Sequence, residues 1–298
     1  MVDLKIMLPE GFLQEEERDG YVVSARMKQL WAVELDLLNE FDRVCKKHGL
    51  KYILDFGTLL GAIRHKGFIP WDDDVDVSML REDYDKLLKI GPSEFKDPYF
   101  LQTRKTDPGY DVSVAKLRRS DTTFIMTENI HHPMPYNQGI FIDIFVYDNL
   151  SSNKKEVVDK VGQESYRAYH NAFVLSHRPS LHDGFKLPFT LIRYFLYRMC
   201  YGSADKEFDR QEQLARTYDG PSDYVASIMF MRTWCRLRRW FEDVIDVPFE
   251  HLSMPVPAEY DAMLRDCYGD YMTPVRGSSA HSLVTFDVDR SYKEYLKK

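Results

Sequence analysis

Trp71-Asp72-Asp73-Asp74-Val75-Asp76-Val77-Ser78-Met79 is the most informative stretch of this 298-residue chain. From Asp74 onward, acid or hydroxyl alternates with apolar side chain, the period of a half-buried strand. Asp74, Asp76 and Ser78 therefore share one face, and Val75, Val77 and Met79 share the other. Carboxylates two residues apart on a strand stand roughly 7 Å apart at Cβ, close enough to lean together over one hard cation. Mg2+ suits such a pair, because it takes one or two carboxylates and fills its other positions with water and phosphate oxygens; Mn2+ is the alternative. Without a cation, the crowded aspartates repel one another. Asp72 lies in the same run and is a further candidate ligand. A calcium loop is rejected, because Val77 and Asp83 stand where that loop needs its Gly and its bidentate Glu.

The flanking sequence gives this strand a context. Ser24 to Lys47 reads as a long amphipathic helix, with Met27, Trp31, Leu35, Leu38, Phe41 and Cys45 recurring in steps of three and four. Ser24 can cap its start and Gly49 its end. Leu50 to Phe56 reads as a buried strand, and Gly57-Thr58 opens a short helix. Such a turn lets backbone N–H groups approach a phosphate at a helix N-terminus. Glu82 to Ile90 reads as helix. Further on, Gly139 to Tyr147 (GIFIDIFVY) is a second apolar strand with Asp143 in its middle. An ionised Asp buried there needs a cation, a hydrogen-bond partner or a chemical task. Beside the Asp74/Asp76 face it serves as a third metal ligand or as a general base. Arg64, His65 and Lys66, and Lys116 with Arg118 and Arg119, are the basic groups placed to neutralise phosphate; a solvated surface is the competing reading of both clusters. His131-His132 sits beside prolines and reads as structural or substrate-gating rather than metal-ligating.

Composition bounds the rest. A net charge of -7 and a pI near 5.8 give no overall basic stripe, which speaks against nucleic acid as partner. Cys45, Cys200, Cys235 and Cys267 are scattered, as in a chain kept reduced. The first residues contain no secretory apolar core, so the expected location is cytoplasmic, or peripheral at the inner face of the cell membrane. Phe185 to Met199 is apolar but interrupted by Arg193 and Arg198, and it is shorter than the ~20 residues a span needs. A buried core helix is the expectation there, with docking on an anionic membrane surface as the other reading. The order of elements predicts an α/β or α+β catalytic core over residues 1–150 and a mainly helical lobe over 151–298.

Leu54 to Met79 (LDFGTLLGAIRHKGFIPWDDDVDVSM) resembles the signature of the LicD family, which is related to fukutin-related proteins and to the wider nucleotidyltransferase-fold superfamily. Gln138 to Asp148 and Val256 to Pro274 resemble its second acidic strand and its C-terminal block. The resemblance implies a mixed sheet with flanking helices. It also implies magnesium-dependent transfer of a phospho-alcohol, phosphocholine first, from a CDP-linked donor to a sugar hydroxyl. The acceptor would be a cell-surface glycan or teichoic-acid precursor, which can be lipid-linked; CDP-ribitol and CDP-glycerol are the other donors in view. Carried over residue by residue, Gly57 and Thr58 match the phosphate turn, Asp74 and Asp76 the metal pair, and Asp143 the third acid. For a choline head group, Trp71 is a candidate aromatic contact. Two competing readings are nucleotidyl transfer, which attacks the α-phosphate of an NTP and releases pyrophosphate instead of CMP, and a non-enzymatic nucleotide-binding protein.

Overall fold

The computed structural model describes residues 1–126, 134–229, 234–275 and 284–295. His131 and His132 lie outside them. Two compact units are present: the first takes Met1–Pro108, Ala115–Phe145 and Arg239–Lys298, and the second takes Gly109–Val114 and Val146–Arg238.

The first unit opens with β1 (Glu16–Arg18), β2 (Tyr21–Val23), α1 (Ala25–His48), β3 (Ile53–Leu54) and α2 (Phe56–Arg64). It continues with β4 (Asp76–Leu80), α3 (Arg81–Glu94), β5 (Tyr99–Gln102), β6 (Ala115–Arg119), β7 (Thr123–Met126) and most of β8 (Ile140–Asn149). The second unit holds α4 (Lys155–Ser176), α5 (Leu187–Tyr201), α6 (Ala204–Ala215), β9 (Tyr224–Ala226) and β10 (Cys235–Leu237). The chain then returns to the first unit with α7 (Arg239–Glu242), β11 (Val244–Phe249), β12 (Leu252–Pro257), α8 (Tyr260–Tyr268), β13 (Val284–Asp287) and α9 (Tyr292–Tyr295).

The architecture is α+β. In the first unit the sheet order is β5-β6-β8-β4-β3, with β8 in the middle. Lys116 of β6 stands opposite Asp143 of β8, and Ile53 of β3 opposite Ser78 of β4. In the second unit the end of β8 pairs with β9, and β9 with β10.

Helix α1 begins and ends where its caps dictate. Ser24 Oγ accepts from Met27 N–H at 3.2 Å, and Gly49 closes the helix at φ 62°. A side chain there would be strained, which is why the helix stops at a glycine. The helix is not amphipathic over its middle, however: every residue from Leu30 to Leu38 is buried. Trp31 stacks on Phe68 at 4.6 Å, and Phe41 meets the edge of Tyr52 at 4.9 Å. Burial makes an unpaired charge costly, and Lys28 and Asp36 of this helix both have partners. Lys28 meets Glu16 at 2.9 Å. Asp36 accepts from Lys5 N–H at 2.7 Å, from the Tyr99 hydroxyl at 2.6 Å, and from Arg119.

Several expectations are corrected. The strand expected over Leu50–Phe56 is only Ile53–Leu54, because Asp55 leaves the sheet to cap α2, accepting from Phe56 N–H at 2.6 Å. Strand β4 starts at Asp76, so Asp74 lies just before it. The residues beyond Leu150 are not mainly helical throughout, since β9 to β13 fall there, and Arg239–Lys298 belongs with the first unit. Helix α5 contains no buried residue, so it is not a core helix. Among the described residues no helix is long and apolar enough to cross a membrane.

Candidate active site

The sheet brings the separated acids together. Asp143 N–H donates to Val75 O at 2.9 Å, which sets the middle of β8 beside the entrance to β4. On its other side, Lys116 Nζ donates to Asp143 Oδ1 at 2.5 Å. Both side chains are buried, and Lys116 Nζ also lies 3.5 Å from the centre of the Phe141 ring. Burial pushes the Lys116 ammonium below the usual lysine range, and the Asp143 carboxylate opposes that shift.

Asp76 is the focus of the negative charge. Burial pushes it well above the usual carboxylate range, and Asp74, Asp143, Asp72 and Asp55 push it in the same direction. Asp72 is pushed up to about 6 by burial, with a hydrogen bond to Asp74 opposing and the Asp73 charge adding. One carboxylate oxygen from each of Asp72, Asp73 and Asp74 lies within 4.8 Å of the others. The fold thus concentrates like charges instead of separating them.

Glu34 of α1 completes this acidic group, and the sequence reading passes it over. It is buried, and its Oε2 has no hydrogen-bond partner. Burial raises it well above the ordinary glutamate range, followed by the charges of Asp73, Asp74 and Asp72. The available signal was its spacing: Glu34 lies three residues after Trp31 and four before Leu38, on the apolar stripe of the helix. Oxygen-only donors, crowded and raised by burial and by one another's charge, fit a hard divalent cation such as Mg2+ or Mn2+ rather than a soft one.

The neighbouring candidates divide by geometry. Thr58 is buried, and its hydroxyl accepts from Asp76 N–H at 2.8 Å, so its oxygen fixes the backbone of the central acid. Gly57 is needed for a related reason. A Cβ at that position would stand 2.7 Å from Asp72 Oδ2, so the glycine leaves room for the carboxylate. Asp55, also passed over by the sequence reading, accepts from Ser78 Oγ at 2.6 Å and so ties α2 to β4. Asp72 itself is held from behind, its carbonyl accepting from Trp31 Nε1 at 2.9 Å. Trp71 is half-buried and meets the edge of Tyr21 at 5.9 Å. Arg64 donates to Tyr271 O at 2.8 Å, which ties α2 to the segment after α8.

The second basic cluster is not a solvated surface. Lys116, Arg118 and Arg119 are all buried. Arg118 donates to Gly139 O at 2.6 Å and to Gln102, and Arg119 serves Asp36, away from Asp143. Alternation along β6 puts Arg119 on the other face, Lys116 and Arg118 share one, and the strand register sets Lys116 opposite Asp143.

A model of the LicD/FKTN/FKRP nucleotidyltransferase domain matches residues 49–188. The lipopolysaccharide cholinephosphotransferase LicD of Haemophilus influenzae is 36% identical over 134 residues, covering 45% of this chain and 48% of that protein. An uncharacterized protein of Rickettsia prowazekii is 37% identical over 81 residues, covering 27% of this chain and 29% of that one. The human ribitol 5-phosphate transferase FKRP is 50% identical over 40 residues, covering 13% of this chain and 8% of FKRP. The chain therefore spans about half the length of the first relative and less of the others. The family match takes in the Asp55 cap, the Gly57-Thr58 turn, the aspartate run, Lys116 and Asp143. Residues 49–188 are thus similar to the LicD/FKTN/FKRP family of nucleotidyltransferase-type domains.

Proposed function

We propose that this protein transfers a phospho-alcohol, phosphocholine first, from a CDP-linked donor to a sugar hydroxyl of a cell-surface glycan or teichoic-acid precursor. The observation that carries the reading is the convergence of Asp72, Asp74, Asp76 and Asp143 in the family-matched part of the chain, with Asp76 raised by its burial and then by the charges of the other three. Asp74 and Asp76, with Asp72, would hold Mg2+ or Mn2+; when bound, the ion supplies the positive charge that offsets the donor's pyrophosphate and the departing CMP.

The chain's own residues do the rest. Thr58 holds Asp76 through its N–H, and Gly57 keeps the space that Asp72 occupies. Lys116 fixes one oxygen of Asp143, so that the carboxylate meets the acceptor in a single orientation. In the transfer, the acceptor oxygen forms a bond to the alcohol-bearing phosphorus and the bridging P–O bond breaks. CMP leaves with the bridging oxygen, and the hydroxyl proton passes to Asp143. Reactions of this kind depend mainly on positioning and electrostatics, which is what a preset cluster of acids provides.

The test is CMP release from CDP-choline, CDP-ribitol, CDP-glycerol and CDP-ethanolamine, with Mg2+ and with EDTA. Metal-dependent CMP from one donor, lost in Asp76→Ala with the fold intact, supports the reading and names the head group. Pyrophosphate release from an NTP, with no CMP from any donor, transfers the site to nucleotidyl transfer, a reading favoured by the family's nucleotidyltransferase domain.

A further inference from the structure

Helix α5 is amphipathic in the sense opposite to a core helix. Leu187, Thr190, Tyr194, Tyr197 and Tyr201 recur in steps of three and four and are half-buried, so they form the inward stripe. Tyr197 packs near His170 of α4, with ring centres 6.1 Å apart. The outward stripe is Phe189, Ile192, Phe195, Leu196 and Met199, all exposed, with Phe189 at 76% and Met199 at 83%. Just before the helix, Phe185 is exposed as well. Contiguous apolar surface of this kind marks an interaction face rather than scatter.

The charge around this face says what covers it. At 100° per residue, Arg193 lies at one border of the outward stripe and Arg198 at the other, and Lys186 stands at the helix start. No residue from Gly184 to Gly202 is acidic. An apolar stripe bordered by cations is the pattern of a helix lying in the plane of an anionic lipid surface. Its rings enter the acyl boundary and its arginines meet the headgroups. A second copy of the chain is disfavoured as the occupant, because pairing two such stripes would gather the arginines of both helices with no acid from either.

We infer that α5 is an interfacial helix that docks this protein on an anionic lipid surface through Phe189, Ile192, Phe195, Leu196 and Met199, with Lys186, Arg193 and Arg198 reading the headgroup charge. This is independent of the reaction proposed above, since no residue of α5 belongs to the acidic site.

The experiment is flotation of the full chain with phosphatidylcholine vesicles that contain or lack phosphatidylglycerol, at low and at high salt. The expected result is co-flotation with the anionic vesicles, weakened by salt and absent with neutral ones. Arg193→Gln with Arg198→Gln should lower the partition coefficient about thirtyfold, equivalent to about 1 kcal/mol for each basic residue at the surface. Ile192→Ser with Phe195→Ser should abolish it; both side chains are exposed, so circular dichroism and melting should be unchanged. A Phe195→Trp variant gives a readout that needs no loss of function: its emission should shift to the blue on anionic vesicles. The proposal is overturned by no flotation at low salt, or by equal binding to neutral and anionic vesicles. It is equally overturned if light scattering shows a dimer that Ile192→Ser with Phe195→Ser dissolves, which would give the face to a second copy.

Discussion

Replacing Lys116 by Met removes the cation that Asp143 contacts and keeps most of the volume. The pair is 2.5 Å apart and buried on both sides. At an effective dielectric near 20, the attraction at that distance is about 7 kcal/mol before the desolvation of both ions is subtracted. Losing one partner of such a buried pair typically costs about 3–5 kcal/mol, because the remaining charge is stranded. Asp143 is stranded next to Asp76, which it already destabilises in the ionised form. In EDTA, Lys116→Met should therefore lower the melting temperature by roughly 10 °C, taking about 2–4 °C per kcal/mol for a unit of this size. Saturating Mg2+ should recover part of that loss, since a cation bound by the neighbouring acids compensates the orphaned carboxylate. Lys116→Met combined with Asp143→Leu should be more stable than Lys116→Met alone, because no charge is then left unpaired. The assay is differential scanning fluorimetry of the four proteins with and without Mg2+, closed as a double-mutant cycle. A loss under about 1 kcal/mol for Lys116→Met in EDTA would refute the pairing argument, and an identical loss with and without Mg2+ would refute the link between Asp143 and the cation site.

Three further outcomes follow from the same geometry. Glu34, Asp76 and Asp72 all have raised carboxyl groups, so the folded protein holds these protons more tightly than the unfolded chain does. The stability they allow is fully present below the unfolded values of 3.8 and 4.5. It is lost as pH rises through the folded ones, about 6 for Asp72. Melting curves in EDTA should fall over that window, and Mg2+ should flatten the fall. Thr58→Val removes the acceptor of Asp76 N–H and should cost about 1–3 kcal/mol by chemical denaturation, while Thr58→Ser should stay near wild type. Gly57→Ala pushes a methyl against Asp72, whose carboxylate can swing aside; stability should change by less than about 1.5 kcal/mol. The Mg2+ concentration for half-maximal CMP release should rise severalfold, and an unchanged Mg2+ requirement would remove Asp72 from the cation site.

What was legible in the sequence was local. Ser24 and Gly49 marked the ends of α1 because capping is settled by the residues at the boundary. Val75, Val77 and the apolar run around Asp143 marked two strands because alternation is a local pattern. The alternation failed at its two ends. Asp74 precedes the strand, and Ser78 is buried against Asp55, a contact that depends on how α2 packs on β4. The partner of Asp143 is set by register: Lys116 is 27 residues away, and only strand pairing decides that it, not Arg118 or Arg119, faces the acid. Glu34 was missed for the same reason, as its neighbours Asp72, Asp73 and Asp74 arrive from a distant loop. In α5 an apolar composition suits a core helix or a membrane-surface helix alike, because composition does not say which way a stripe faces.

The return of the chain to the first unit has a consequence for synthesis. Val2 N–H donates to Val288 O at 2.7 Å, and Arg26 at the start of α1 donates to Phe286 O at 3.0 Å. The loop before β4 is likewise held by Glu250, which accepts from Phe68 N–H at 3.1 Å and from Arg18. On the ribosome, β8 has emerged long before these partners exist. At about 5–20 residues per second, the interval is on the order of 10 s. During it the nascent chain carries a sheet whose aspartates are already crowded and whose aromatic cover, Phe249 against Phe68, has yet to be translated. The second unit can fold on its own schedule within that wait, because its stretch from Val146 to Arg238 is contiguous. The first unit is therefore completed last, and early termination within residues 239–298 should yield chains with a folded second unit and an incomplete first unit.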